Sequence, residues 1–84
     1  MPPLALIAPR LLKRILELEG YELEGEYPSC WALMKDRHVA VIPKYGDLVS
    51  FDIMEPVLHG AGIDHHKYFE LKKRAETEVA GTAR

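Results

Sequence analysis

The feature that most constrains this chain is a change of hydrophobic period at Gly20. Before Gly20, apolar residues recur at the three- and four-residue spacing of a helix with one buried face. Pro9 suits the first turn of this helix, which does not need its N–H group, and Gly20 suits a left-handed residue at the helix end. After Gly20, apolar residues alternate with glutamates, as in a strand with one buried face. The apolar positions of the helix are Leu11, Leu12, Ile15, Leu16 and Leu18.

Three short strands are predicted to follow this helix. In the first, glutamates occupy positions 22, 24 and 26 on a face that we expect to be exposed. Two further strands are predicted over residues 30–35 and 38–42, separated by a short polar turn and closed by Pro43. The short connections favour an antiparallel meander with the first helix across one face. The expected buried face of the first strand consists of Tyr21, Leu23, Gly25 and Tyr27.

Two helices complete the predicted α+β order, which is α-β-β-β-α with an extra C-terminal helix. The first of these helices covers about residues 52–61. Asp52 and Glu55 have the spacing of a capping box, whereas Pro56 favours a start closer to Glu55. Asp64 is the expected N-cap of the last helix. The inward side chains of that helix are expected to be Tyr68, Phe69 and Leu71.

The 84 residues of the chain allow a single domain. We expect an extended arm over residues 1–8, the domain over residues 9–76 and a flexible tail over residues 77–84. The apolar opening run lacks the basic start of a signal peptide and is too short to span a bilayer. Cys30 is the only cysteine, which excludes an internal disulfide and favours a reducing, cytoplasmic compartment.

The charge balance is mildly unfavourable for nucleic-acid binding. Lys and Arg number 11 against 13 Asp and Glu, which gives a formal net charge of −2, whereas nucleic-acid-binding proteins use clustered cations. RNA binding would therefore depend on a local basic patch. Arg37, His38 and Lys44 could form a small cationic cluster across the hairpin and the following loop. Phosphate contact and a solvated turn are both consistent with such a cluster.

Cysteine and histidine are the residues that could carry chemistry. Cys30 could act as a nucleophile if a cation or a helix N-terminus stabilised its thiolate; the alternative is a small, partly buried structural thiol. His65 and His66 are adjacent, so on a helix they point about 100° apart and do not easily share a metal ion with His59. We therefore expect no metal and no cofactor.

A series of short motifs occurs in a distinctive order between residues 9 and 71. The motifs are Glu19-Gly20-Tyr21, Pro28-Ser29-Cys30, Val39-Ala40-Val41-Ile42-Pro43-Lys44-Tyr45, Val57-Leu58-His59-Gly60-Ala61-Gly62-Ile63 and Tyr68-Phe69. In this order the motifs resemble those of the HicA family of toxins. The resemblance implies a fold like the double-stranded-RNA-binding domain, cleavage of messenger RNA, and inhibition by a HicB-like antitoxin protein.

The resemblance places Cys30 at the position of the family's motif histidine, as the candidate catalytic residue, and Tyr45 at a second histidine position. A thiol substitutes poorly for imidazole in acid–base catalysis, and losing such catalysis typically costs about 10²–10⁴-fold in rate. We therefore expect a HicA-like RNA-binding domain with weakened or lost cleavage. The alternative is a non-catalytic protein-interaction module with the same fold, and a homo-oligomer is left open. With the cationic cluster included, the expected RNA-binding residues are Ser29, Arg37, His38, Lys44 and Tyr45.

Overall fold

The computed structural model describes residues 6–82. The three strands form one antiparallel sheet in chain order, which confirms the predicted α+β layout and meander. Of the predicted arm, residues 1–5 lie outside the described residues. The last helix continues through much of the predicted tail, and residues 83–84 lie outside the described residues. The elements are α1 (Pro9–Glu19), β1 (Glu22–Glu26), β2 (Cys30–Lys35), β3 (His38–Pro43), α2 (Phe51–Gly60) and α3 (His65–Thr82).

Helix α1 ends as the sequence predicts. Gly20 has a φ of 111°, in the left-handed region, and the N–H groups of Gly20 and Tyr21 donate to carbonyls of the last helical turn. Lys13 donates to Glu17 at 2.9 Å on the outer side of the helix. The helix buries Leu12, Ile15 and Leu16 at helical spacing, so its period and its packing agree.

The sheet has one covered face and one open face. Alternation along β2 and β3 directs Trp31, Leu33 and Ile42 into the core. Val39 and Val41 of β3 point the other way and are half exposed. Helices α1 and α2 pack behind β3, and α1 also packs against α3. The core thus lies between the inner face of the sheet and the helices, and none of the helices in the described part of the chain is long and apolar enough to cross a membrane.

The predicted burial of the first strand is confirmed for Tyr21 and for the exposed glutamates, and is wrong for Leu23 and Tyr27. Tyr21 is buried, but Leu23 is 43% exposed and Tyr27 is 54% exposed. The pairing of β1 with β2 shifts register between Leu23 and Gly25, and such a shift breaks the alternation that the sequence pattern assumes. The ring of Tyr27 lies over Gly25, where an added Cβ would stand 2.8 Å from the tyrosine hydroxyl oxygen. The strand is therefore an exposed sheet edge rather than a half-buried one.

The last two helices follow the prediction in part. Ser50, with no side-chain cap, precedes α2, so the predicted capping box of Asp52 and Glu55 does not begin this helix. The prediction for Asp64 is confirmed, because its Oδ1 accepts the Lys67 N–H at 2.8 Å. On α3, Tyr68 and Leu71 are buried as predicted, whereas Phe69 is 42% exposed. Phe69 follows Tyr68 directly, and adjacent side chains on a helix diverge by about 100°.

Candidate nucleic-acid interface

One end of the sheet brings together Ser29, Cys30, Lys44 and Tyr45. Cys30 pairs with Pro43 across the β2–β3 ladder. The next pair extends that ladder, because the Lys44 N–H donates to the Ser29 carbonyl at 2.9 Å. Tyr45 follows directly, with 69% of its surface exposed. The motif residues that the resemblance singles out therefore share one end of the sheet.

A cavity of about 440 Å³ opens at this end of the sheet, beside the first turn of α1. That turn contains no acidic residue, so no carboxylate of the helix repels an anion there. We call this cavity, with Ser29 and Tyr45 beside it, the sheet-end site. The cavity is lined by Ala8, Pro9, Arg10, Glu26, Trp31, Lys44, Gly46 and Asp47.

Two lysines lie against the ring of Trp31 at the sheet-end site. The indole is buried and has Lys44 Nζ 5.2 Å and Lys13 Nζ 5.6 Å from its ring centroid, within the range of cation–π attraction. Lys44 also donates to Glu26 Oε2 at 2.9 Å. The hydrogen bond and charge of Lys44 lower the pKa of Glu26, which keeps this pair ionised. Lys44 is thereby held in one place at the mouth of the cavity.

The side chain of Cys30 points away from the cavity, although its backbone lies at the same end of the sheet. Strand alternation puts this side chain on the open face of the sheet, opposite to Trp31. Cys30 is partly buried. Among residues 6–78, no hydrogen bond or ion pair involves the Cys30 thiol, so no imidazole or carboxylate in this part of the chain activates it. The surroundings match the structural thiol that the sequence left as an alternative.

The predicted cluster of Arg37, His38 and Lys44 does not form. His38 pairs with Lys35 at the opposite end of the β2–β3 ladder from Cys30. Six residues of extended chain separate His38 from Lys44, which corresponds to roughly 20 Å. His38 instead contacts Tyr21, whose hydroxyl oxygen lies 2.6 Å from Nδ1 of the imidazole.

A second cavity, of about 420 Å³, surrounds this histidine. Its residues come from the start of β1, from the β2–β3 turn and from the end of α2. We call it the turn site. Asp36 in the turn has a φ of 55°, a left-handed conformation that an aspartate tolerates better than most residues do. The turn site is lined by Tyr21, Lys35, Asp36, Arg37, His38, Gly60 and Ala61.

The remaining histidines lie between α2 and α3. His59, His65 and His66 border a cavity of about 510 Å³ together with Glu55 and Asp64. Within the described part of the chain, no group of three or more His, Cys, Asp or Glu side chains is placed to hold a metal ion.

The sequence does not identify several residues of the sheet-end site and the turn site. Arg10 was not singled out, although an arginine directly after Pro9 at the start of a helix is a usable signal for a cation beside a helix N-terminus. The sequence assigns Trp31 only to the second strand, whereas its contacts with Lys13 and Lys44 depend on the fold. Gly60 belongs to one of the motifs, but its contact with His38 has no sequence signal, because the two residues are distant in the chain.

Comparison with protein-family models, with curated proteins and with solved structures finds no match to this chain. Its function must therefore be inferred from its own residues and their geometry.

Proposed function

We propose that this chain is an RNA-binding domain of the HicA kind, with weakened or lost cleavage, and that RNA binds at the sheet-end site. The observation that carries the proposal is Lys44, held over Trp31 beside Arg10 at the end of the sheet that also holds Ser29 and Tyr45. The order α-β-β-β-α, with the helices on one face of an antiparallel sheet, supports a fold like the double-stranded-RNA-binding domain.

The cations and the aromatic side chain of this site suit a single-stranded or loop segment of RNA. Arg10 and Lys44 supply positive charge for phosphates, and the exposed ring of Tyr45 supplies a stacking surface for a base. Glu26 and Asp47 offset part of that charge. We therefore expect few phosphate contacts and affinities in the range of non-specific binding, about 10⁻⁴–10⁻⁶ M at physiological salt.

Replacing Tyr45 by alanine tests the stacking surface. Tyr45→Ala is expected to weaken binding of single-stranded RNA about 5- to 150-fold, because stacking of one base on an aromatic ring contributes about 1–3 kcal/mol. Tyr27→Ala is the matched control, since Tyr27 is also an exposed tyrosine but its ring lies over Gly25 of β1. Fluorescence anisotropy of a labelled RNA at two salt concentrations measures both variants. Equal effects of the two substitutions would contradict base stacking on Tyr45. The absence of RNA binding by wild type even at low salt would contradict the proposed RNA-binding function.

Substitutions of Cys30 test the remaining cleavage activity. Wild type and Cys30→Ala are expected to cut RNA at the same low rate, because the thiol has no described partner that would activate it. Cleavage by wild type that disappears in Cys30→Ala would contradict this and would make the thiol a catalytic group. Cys30→His restores imidazole at the family position, and a gain in rate would show that RNA reaches the open face of the sheet near residue 30.

The open face of the sheet supports a second candidate function, a protein-interaction module. Val39 and Val41 are half exposed there, and Glu22 lies on the same face two strands away, because Glu22 pairs with Met34 and Met34 pairs with Val39. Such a surface fits a partner with apolar side chains beside lysine or arginine, and a HicB-like antitoxin is the partner that the resemblance implies. Co-expression with the protein encoded in the adjoining reading frame tests this function. Val41→Asp should abolish co-purification, whereas Phe69→Asp, an exposed apolar position on α3, should not.

A further inference from the structure

We infer that the turn site is a second phosphate-binding site, in which the Arg37 guanidinium binds a phosphate group beside the His38 ring; the identification of that phosphate as part of an RNA backbone rests on the proposed function. The sheet-end site and the turn site lie at opposite ends of β3, so the second site is a separate place of contact. A phosphate of an RNA backbone and a free phosphate ion present the same chemistry, an oxyanion with several hydrogen-bond acceptors.

The turn site is held together by contacts between distant parts of the chain. The Tyr21 hydroxyl and His38 Nδ1 are 2.6 Å apart, and the two rings meet edge to face with centroids 5.8 Å apart. Burial, followed by the charges of Glu19 and Asp36, raises the pKa of Tyr21. Tyr21 therefore keeps its proton at neutral pH, and the hydroxyl and Nδ1 share one hydrogen bond in which the tautomer of the imidazole decides the donor.

Gly60 is the residue that lets the imidazole lie against the end of α2. A Cβ at this position would stand 2.5 Å from His38 Nε2 and 3.0 Å from Cε1. Real Cβ atoms are essentially never found that close to another atom, so any other residue would push the ring away. The absence of a side chain at residue 60 thus sets the position of the imidazole in the cavity.

The charges around the cavity leave Arg37 as the available cation. Lys35 Nζ donates to the Glu19 carbonyl at 3.0 Å, and the Glu19 carboxylate is 2.7 Å from Lys67 Nζ. Arg37 has no ion pair among residues 6–78. Its guanidinium offers the planar pair of donors that matches phosphate. The carboxylate of Asp36 opposes an anion, so we expect weak binding at this site.

The distance between the two sites determines which RNA can reach both. Residues 38 and 44 are separated by roughly 20 Å of extended strand, and stacked nucleotides of one strand rise by about 3.4 Å each. A strand must therefore span about six nucleotides to contact both sites. A mononucleotide or an inorganic phosphate ion can occupy only one of them.

The test compares Arg37→Gln with Arg74→Gln, which removes an exposed arginine from α3. With a single-stranded RNA of about 16 nucleotides, Arg37→Gln is expected to weaken binding about three- to tenfold and to lower the slope of log K against log salt by about 0.7. With an RNA of about four nucleotides the loss should be smaller, because one phosphate contact can replace the other. Arg74→Gln should change neither quantity.

A titration with inorganic phosphate, followed by amide and imidazole NMR signals, examines the site without RNA. Phosphate is expected to shift signals of His38 and Gly60 in wild type and not in Arg37→Gln. Gly60→Ala keeps the charge of Arg37 and displaces the imidazole, and it should weaken the phosphate response because the ring no longer forms that wall of the cavity. The wild-type pattern of all other signals shows that each variant is folded.

The outcomes separate the two proposals. If Tyr45→Ala weakens RNA binding but Arg37→Gln behaves like Arg74→Gln for both RNA and phosphate, the proposed function stands and the second site is refuted. If phosphate shifts the His38 signals only when Arg37 is present but no RNA binds, the site stands as one for a small phosphate compound and the RNA function falls. An equal phosphate response in wild type and Arg37→Gln overturns the assignment of Arg37.

Discussion

Leu33→Ala is expected to lower the free energy of unfolding by about 2–5 kcal/mol, the cost of removing a fully buried leucine side chain and leaving a cavity. Leu33 lies in the central strand and is 0% exposed. A domain of this size has a total stability on the order of 5 kcal/mol. The substitution should therefore leave much of the protein unfolded at 37 °C, and urea denaturation followed by circular dichroism measures the change.

Leu23→Ala is the matched control for this experiment. Leu23 is the partner of Leu33 in the β1–β2 ladder, so both substitutions remove the same atoms from neighbouring strands. Because Leu23 is 43% exposed at the sheet edge, the loss of stability should be about 1 kcal/mol or less. Similar losses of stability for the two variants would mean that Leu23 is buried as the sequence pattern predicts, which would contradict its exposure at the sheet edge.

Raising the pH is expected to destabilise the protein through Tyr68. Burial raises the pKa of this tyrosine from 10.0 to about 12 in the folded state. Between these two pH values the unfolded chain loses the phenolic proton while the folded protein keeps it, so unfolding becomes more favourable as the pH rises. The contribution of Tyr68 is complete below pH 10 and is lost towards pH 12, in total about 2–3 kcal/mol.

Tyr68→Phe isolates this contribution from the other groups that titrate in alkali. The stability difference between wild type and Tyr68→Phe should change by about 2–3 kcal/mol between pH 9 and pH 12, in favour of the variant. At neutral pH the variant loses a hydroxyl that donates to Met54 Sδ at 3.9 Å, a weak contact. Tyr27→Phe removes an exposed hydroxyl and should retain the alkaline destabilisation of wild type. A difference between wild type and Tyr68→Phe that does not depend on pH would contradict the effect of burial on Tyr68.

Local signals in the sequence predict the helices and their ends well. The spacing of Leu12, Ile15 and Leu16 identifies the buried face of α1, and the conformational freedom of glycine identifies Gly20 as its end. Asp64 is recognised as an N-cap because its side chain bonds to backbone only three residues away. These features depend on neighbours along the chain, so one sequence suffices to find them.

The candidate sites are less predictable because they depend on how distant segments meet. Arg37 and Lys44 are near one another in sequence, but a strand is the most extended form of the chain and separates them to opposite ends of the sheet. Conversely, Tyr21 and His38 are 17 positions apart and share a hydrogen bond. The register shift in β1 is equally hidden, since a bulge changes which side chains face inward without changing the alternating pattern.

The glutamates of β1 have a consequence for self-association. An edge strand presents unpaired backbone groups that can recruit a strand from another molecule, which is a common start of aggregation. Two copies of β1 placed side by side would bring Glu22 and Glu24 against the same residues of the neighbour, and like charges in direct opposition destabilise a strand pair. The acidic edge thus disfavours the pairing of two β1 strands in a small domain that also exposes valines on its open face.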